Sequence, residues 1–147
     1  MKIIQLVPLW SVMFALAAQP AAGADIDNHE SLYGFLAGRY TVIGKGLDSS
    51  RTYIGTAVLT YERGRLTVTR NIEGKTVRGE GRIEHALGPD GTDVLRVRFV
   101  RAGQGYEITY LWQSDLDNDA RLSGYLYEPG KKTGSPGMEA LFKEHDR

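Results

Sequence analysis

Three aspartates at alternate positions, Asp115, Asp117 and Asp119, lie in the segment QSDLDNDARLSG and have the spacing that opens an EF-hand calcium loop. Such a loop also requires Gly at its sixth position and a bidentate Glu at its twelfth. Counted from Asp115, these positions hold Ala120 and Leu126, and a leucine side chain offers no oxygen ligand. We therefore interpret the segment as a polar turn between two strands, with loose calcium binding by its carboxylates as the alternative.

Arg70 is the second candidate, because it occupies the same parity as the apolar residues of RLTVTRNI and should point inward with them. A buried guanidinium is costly unless it is paired, so an inward Arg marks an internal ion pair or a site for an anionic ligand. Glu139 on the last predicted strand is a candidate partner, and the interpretation that we favour is that Arg70 reaches water at the edge of the fold. The candidate ligand-binding residues are Tyr40, Arg70, Tyr106, Tyr110 and Glu139.

Other chemistry-bearing residues match no catalytic or metal-binding pattern. The histidines His29, His85 and His145 have no zinc-binding spacing, and the chain contains no Cys to serve as a thiolate ligand, nucleophile or disulfide partner. No G-x-S-x-G nucleophile elbow occurs, and Ser135 lies in the Gly/Pro-rich segment TGSPG. We predict a protein that is not an enzyme, with no catalytic residue, metal site or cofactor.

Charged residues alternate on what should be neighbouring strands. Glu80 and Glu84 share a predicted strand face with Arg78 and Arg82. The next predicted strand adds Arg96, Arg98 and Arg101. We interpret this pattern as a solvated surface of cross-paired charges, and the alternative is a basic strip for an acidic partner.

Short strands separated by turn residues must position these groups. Segments such as ERG, IEGK, LGPDG and RAGQG supply the Gly, Pro and Asp that tight turns require. After a single helical turn near residues 29–37, the pattern predicts strands at 39–46, 52–62, 65–73, 76–86, 93–101, 105–113, 120–128 and 138–144. Because nearly every connection is short, consecutive strands should pair antiparallel.

Alternation of apolar and polar residues predicts that the sheet closes on itself. In GYEITYLW, for example, Tyr106, Ile108, Tyr110 and Trp112 share one face. An open sheet would expose two edges, whereas closure into a barrel removes both. The sequence therefore predicts an all-β fold, an antiparallel up-and-down barrel of about eight strands, with a two-sheet sandwich as the alternative.

The first residues predict export. MKIIQLVPLWSVMFALAAQPAAGA has a basic start at Lys2, a short apolar stretch and a small-residue exit, the order typical of a signal peptide. We predict a signal peptide at residues 1–24 and a single β-barrel domain at residues 25–147, periplasmic or secreted, with no membrane span after cleavage. The chain has 18 basic and 18 acidic residues, and this balance argues against a nucleic-acid partner.

Five short motifs carry a family resemblance. G-x-Y-x-V-x-G begins at Gly38, Y-x-G-x-A at Tyr53, G-x-G at Gly79, L-x-G at Leu122 and G-x-E-x-L at Gly137. With these motifs, residues 38–142 resemble a group of small exported bacterial proteins with calycin-like, that is lipocalin-like, β-barrels. The resemblance implies a barrel fold, and the label "fibronectin-binding" that some members carry implies adhesion.

Two functions from different classes follow from these patterns. The first is an exported, non-enzymatic barrel that binds a small apolar or amphiphilic ligand. The alternative is an interaction or adhesion module whose outer surface or loops bind an extracellular protein. Unfilled inward positions favour the first function, whereas inward Tyr, Trp and Leu side chains that fill the barrel favour the second.

Overall fold

One short helix and eight strands make up the computed structural model, which describes residues 29–86, 91–114 and 120–144. The elements are α1 (Glu30–Leu36), β1 (Gly38–Lys45), β2 (Thr52–Glu62), β3 (Arg65–Ile72), β4 (Lys75–His85), β5 (Asp93–Arg101), β6 (Gln104–Ser114), β7 (Ala120–Tyr127) and β8 (Gly137–Lys143). The predicted signal peptide, the aspartate turn at 115–119 and His145 lie outside the described residues. No helix within the described ranges is long and apolar enough to cross a membrane.

The strands form one closed antiparallel barrel in which each strand pairs with the next and β8 pairs with β1. The closing ladder sets Val42 of β1 opposite Leu141 of β8. The predicted up-and-down barrel is therefore confirmed, and the sandwich alternative is wrong. Each observed strand boundary lies within one residue of its prediction, because the turn residues that mark the boundaries also determine the hairpin geometry.

Three hairpins turn on two residues that both have positive φ, as a type I′ turn requires. The pairs are Arg63–Gly64, Glu73–Gly74 and Ala102–Gly103, with φ between 48° and 81°. Their backbone twist matches that of the flanking strands, so β2–β3, β3–β4 and β5–β6 continue in register up to the turn. The last two of these hairpins lie at the same end of the barrel, the end that forms the candidate site.

The inward side chains pack into one core, and α1 covers the opposite end. Tyr33 and Leu36 of α1 belong to the buried cluster, and the Tyr33 ring stacks on Tyr61 with centroids 5.5 Å apart. The Tyr40 hydroxyl donates a hydrogen bond to the carbonyl oxygen of Leu36 at 2.8 Å, which ties the helix to β1. α1 therefore closes this end of the barrel by packing, whereas the β1–β2, β3–β4, β5–β6 and β7–β8 connections border the other end.

The outer surface has two different sides. On β3 to β6 the charges pair as predicted: Arg82 contacts Glu80 at 2.6 Å, and Arg98 contacts Glu84 at 2.5 Å and Glu107 at 2.7 Å. On the other side, exposed large apolar residues lie on β1, β2, β6, β7 and β8. They are Ile43, Ile54, Leu111, Tyr125, Met138 and Phe142.

Candidate functional site

A single row of residues across five strands builds the polar centre of the barrel. Tyr53 of β2 lies opposite Gly44 of β1, which in turn lies opposite Glu139 of β8. On its other side Glu139 lies opposite Gly124 of β7, and Gly124 lies opposite Tyr110 of β6. The row therefore reads Tyr, Gly, Glu, Gly, Tyr, with the carboxylate in the middle and a glycine on either side.

The two glycines leave the space that the tyrosine rings occupy. A Cβ atom at Gly44 would lie 2.5 Å from Cζ of Tyr53, and one at Gly124 would lie 2.7 Å from Cδ1 of Tyr110. Each ring can therefore lie across the adjacent glycine toward the strand beyond it. The Tyr53 hydroxyl donates to Oε1 of Glu139, and the Tyr110 hydroxyl donates to Oε2 at 2.5 Å.

Arg70 completes the cluster from β3, with its Nη2 donating to Oε1 of Glu139 in a buried ion pair. The Arg70 residue is 5% exposed and Glu139 is 3% exposed. The guanidinium carbon also lies 4.8 Å from the centroid of the Phe99 ring, a cation–π contact. The predicted inward orientation and the hypothesis of a pair with Glu139 are confirmed, and the favoured interpretation that Arg70 reaches water is wrong.

Burial and charge together fix the protonation of the cluster. Burial raises the pKa of Tyr110 well above its usual value, and the negative charge of Glu139 raises it further. Burial and then Glu139 also raise the pKa of Tyr53. For Arg70, burial opposes the charged form, but the attraction of Glu139 and the tyrosine oxygens leaves its pKa raised. Both tyrosines are therefore neutral donors at neutral pH, and Arg70 stays charged.

A cavity of about 150 Å³ lies above this cluster, at the end of the barrel opposite α1. Arg70 and Tyr53 contribute its deepest polar groups, and Ile72 and Leu126 contribute apolar wall. We call this cavity the mouth. The exposed residues at its edge are Arg51, Glu73 and Arg101, with Arg51 and Glu73 paired at 2.6 Å.

The structure brings together three of the five residues predicted to form a site. Arg70, Tyr110 and Glu139 are in contact, whereas the Tyr40 hydroxyl is bonded to the backbone near α1. The Tyr106 ring stacks on Phe99 with centroids 5.5 Å apart, and Arg101 lies 4.7 Å above its centroid. These two tyrosines share the predicted parity, but they lie at other heights along the barrel. Parity assigns a face and gives no height.

Sequence reasoning missed Tyr53 as a member of the site. Tyr53 begins the motif Y-x-G-x-A, and Gly44, Gly124 and Glu139 also occupy motif positions. The register of consecutive strands would have placed Tyr53 opposite Gly44 and Glu139 opposite Gly124, but only the β1–β8 closing ladder joins these two pairs into one row. The signal was therefore present in the motifs, but it required strand register to be recognised.

Histidines and carboxylates elsewhere form a smaller cluster. Asp93 accepts a hydrogen bond from His85 at 2.6 Å and lies 3.2 Å from Nε2 of His29. The hydrogen bond with His85 lowers the pKa of Asp93, and His29 adds to this effect. Over residues 29–86, 91–114 and 120–144, no group of three or more His, Cys, Asp or Glu side chains has the geometry to hold a metal ion.

Neither the models of known protein families nor the curated protein sequences match the chain. The role of the mouth must therefore be inferred from its own geometry.

Proposed function

We propose that this protein is an exported, non-enzymatic β-barrel that binds a small amphiphilic ligand in the mouth. The observation that carries the proposal is the composition of the cavity. Ile72 and Leu126 provide apolar lining at its sides, and Tyr53 and Arg70 provide polar groups at its bottom. Ligand sites typically combine mostly apolar lining with a few fixed polar groups. A molecule with an apolar body and one polar end suits this arrangement.

The size of the cavity limits how much of a ligand can enter. A volume of 150 Å³ corresponds to the space of about five water molecules. Below it, fully buried side chains such as Leu66, Leu95 and Ile108 fill the barrel interior, so the unfilled space that favours a ligand is confined to the mouth. We therefore expect a small ligand, or one end of a longer amphiphile whose remainder stays outside.

Charge favours an anionic polar end. Three cations line the mouth, Arg51, Arg70 and Arg101, against one lining acid, Glu73. Glu139 neutralises Arg70 from below, and Glu73 pairs with Arg51, so Arg101 is the cation with no acid partner within the described part of the chain. A carboxylate is the simplest group that fits.

A binding role, rather than catalysis, is supported by the hydrogen bonding of the cluster: the Glu139 oxygens and the tyrosine hydroxyls are paired, whereas the buried Nε of Arg70 has no hydrogen-bond partner among the described residues. Both oxygens of Glu139 accept hydrogen bonds, and the two tyrosines that donate them have raised pKa values. A tyrosine with a raised pKa is a poor base or nucleophile at neutral pH. The cluster is thus suited to form a rigid, charged surface at the bottom of the cavity, on which a ligand can bind.

Export is part of the proposal, and residues 1–24 support it through their basic start, apolar stretch and small-residue exit. The likeness to small exported calycin-like barrel proteins agrees with it. Mass spectrometry of the protein from fractionated cells should find a mature chain that begins at Asp25. An intact chain that begins at Met1 in the cytosolic fraction would contradict export.

Calorimetry with a graded set of ligands tests binding. Saturated monocarboxylates of increasing chain length should bind, and matched primary alcohols and amines should bind more weakly. Exchanging two edge cations, Arg51→Gln with Arg101→Gln, should weaken carboxylate binding about tenfold, as expected for two solvent-exposed charge contacts.

Arg39→Gln is the matched control, because Arg39 is also exposed but lies on β1 beside Glu144, at the helix-covered end. This variant should bind like the unmodified protein. The proposal is wrong if none of the compounds binds, if alcohols bind as tightly as carboxylates, or if the control loses as much affinity as the mouth variant.

A further inference from the structure

The ladder between β4 and β5 stops before either strand ends. Its last pair is Gly79 with Phe99. Beyond that pair, Val77 and Arg78 remain bonded in register to β3, and Val100 and Arg101 remain in register with β6. The ends of two neighbouring hairpins thus diverge, and each presents a strand edge that has no ladder partner. We call this gap the seam.

The seam forms a groove of about 560 Å³ whose lining carries only positive charge. The cations are Lys75, Arg78 and Arg101, and no Asp or Glu contributes to the lining. Within the described residues, Lys75, Arg78 and Arg101 make no ion pair, and the Arg101 guanidinium lies over the Tyr106 ring. Lower on the same two strands, by contrast, Arg82 and Arg98 are both paired with glutamates. Three cations that make no ion pair in the described part of the chain therefore lie where the backbone edges are open.

We propose that the seam binds an acidic polypeptide segment of a partner protein in an extended conformation. An extended chain can add to an open strand edge through main-chain hydrogen bonds, with side-chain contacts giving specificity. Acidic side chains on the segment would meet the cations of the seam. The seam is then a second binding surface beside the ligand-binding mouth. If the protein also acts as an interaction module, the partner protein would bind at the seam.

Backbone geometry favours a peptide over a small anion. A small anion would use the cations but would leave both unpaired strand edges without partners, whereas a peptide supplies N–H and C=O groups to them. At about 3.3 Å per residue, the open edges accommodate a segment of roughly three or four residues. The gap is also not purely polar, because Val100 is 64% exposed and Val77 lines the groove.

The seam and the mouth can be tested separately although they adjoin. Arg101 lines both, but Lys75 and Arg78 line only the seam, and Arg51 lines only the mouth. Lys75 and Arg78 are exposed, so their exchange for Gln should leave the fold intact. A loss of peptide binding with carboxylate binding retained would therefore be specific to the seam.

The probe is a short, end-blocked peptide in which Glu and Val alternate, titrated into isotope-labelled protein and followed by NMR. We expect saturable shifts of the backbone amides at 75–78 and 100–102, with slower hydrogen exchange at these amides in the complex. Lys75→Gln with Arg78→Gln should weaken binding roughly tenfold. Arg82→Gln, a control on β4 whose side chain pairs with Glu80 outside the seam, should bind as the unmodified protein does.

Three results would overturn the proposal. The first is the absence of saturable binding, and the second is equal binding of a peptide in which Gln replaces Glu. The third is binding of inorganic polyphosphate as tight as that of the peptide with no protection of the seam amides, which would reduce the seam to a non-specific anion contact.

Discussion

Replacing Glu139 by Gln should destabilise the barrel more than any exchange of a surface charge. The substitution keeps the shape of the side chain and leaves an oxygen that can still accept from Tyr53 or Tyr110. It removes the negative charge beside Arg70, which is 5% exposed and cannot release its proton. A buried charge left without its partner costs about 3–5 kcal/mol. That is a large share of the roughly 5–15 kcal/mol by which a domain of this kind is stable.

Removing both charges should restore most of this loss. In the double variant Arg70→Met with Glu139→Gln, no charge remains in the cluster, and Met fills a similar volume beside Phe99. Replacement of a buried ion pair by a well-packed apolar residue is often close to neutral. We expect the double variant to lie within about 2 kcal/mol of the unmodified protein and to be more stable than Glu139→Gln alone.

Urea unfolding, followed by tryptophan fluorescence, measures all four proteins of this cycle. Stability differences come from the midpoints if the slopes agree. The single variant Arg70→Met supplies the remaining corner, and it should also be less stable than the unmodified protein, because Glu139 is then left without its cation. A loss below about 1 kcal/mol for Glu139→Gln, or a double variant less stable than both single variants, would refute the assignment of a buried, mutually dependent pair.

Two further predictions concern the same row. The pKa of Tyr110 is raised by burial and by Glu139, so above about pH 10 the folded protein retains a proton that the unfolded chain loses, and the free energy of unfolding falls as pH rises. Tyr110→Phe should reduce this slope, measured by urea unfolding, by about 1.4 kcal/mol per pH unit. An unchanged slope would contradict the burial of this hydroxyl. Gly124→Ala should cost about 1–3 kcal/mol, because its Cβ would lie 2.4 Å from the carbonyl oxygen of Thr109 and 2.7 Å from the Tyr110 ring. Gly105→Ala, where no atom lies within 4 Å, should change the melting midpoint little. Equal losses at both positions would mean that these contacts at Gly124 do not cause the loss.

Local patterns predicted the fold well because its elements are locally determined. Turns such as Glu73–Gly74 and Ala102–Gly103 place both residues at positive φ, which Gly accepts readily although Glu and Ala do not favour it, and they set the register of their hairpins. Alternation then assigns one face of each strand to the core, as it did for Arg70 among the apolar residues of β3. The divergence of β4 and β5 had no such local cause, since both segments have strand-forming residues beyond Gly79 and Phe99. Whether neighbouring hairpins stay paired depends on how the whole barrel closes.

The residues at the centre of the site could likewise be predicted only in part from local sequence patterns. Parity placed Arg70, Tyr110 and Glu139 inside, but it placed Tyr40 and Tyr106 inside equally. What separates them is height along the barrel, which follows from the register of β8 with β7 and with β1, and the β1–β8 ladder joins segments distant in sequence. Glycines provide the missing criterion. A tyrosine can reach a carboxylate two strands away only where the intervening residue has no side chain, so an inward Gly between an inward Tyr and an inward Glu identifies both Tyr53 and Tyr110 as its partners.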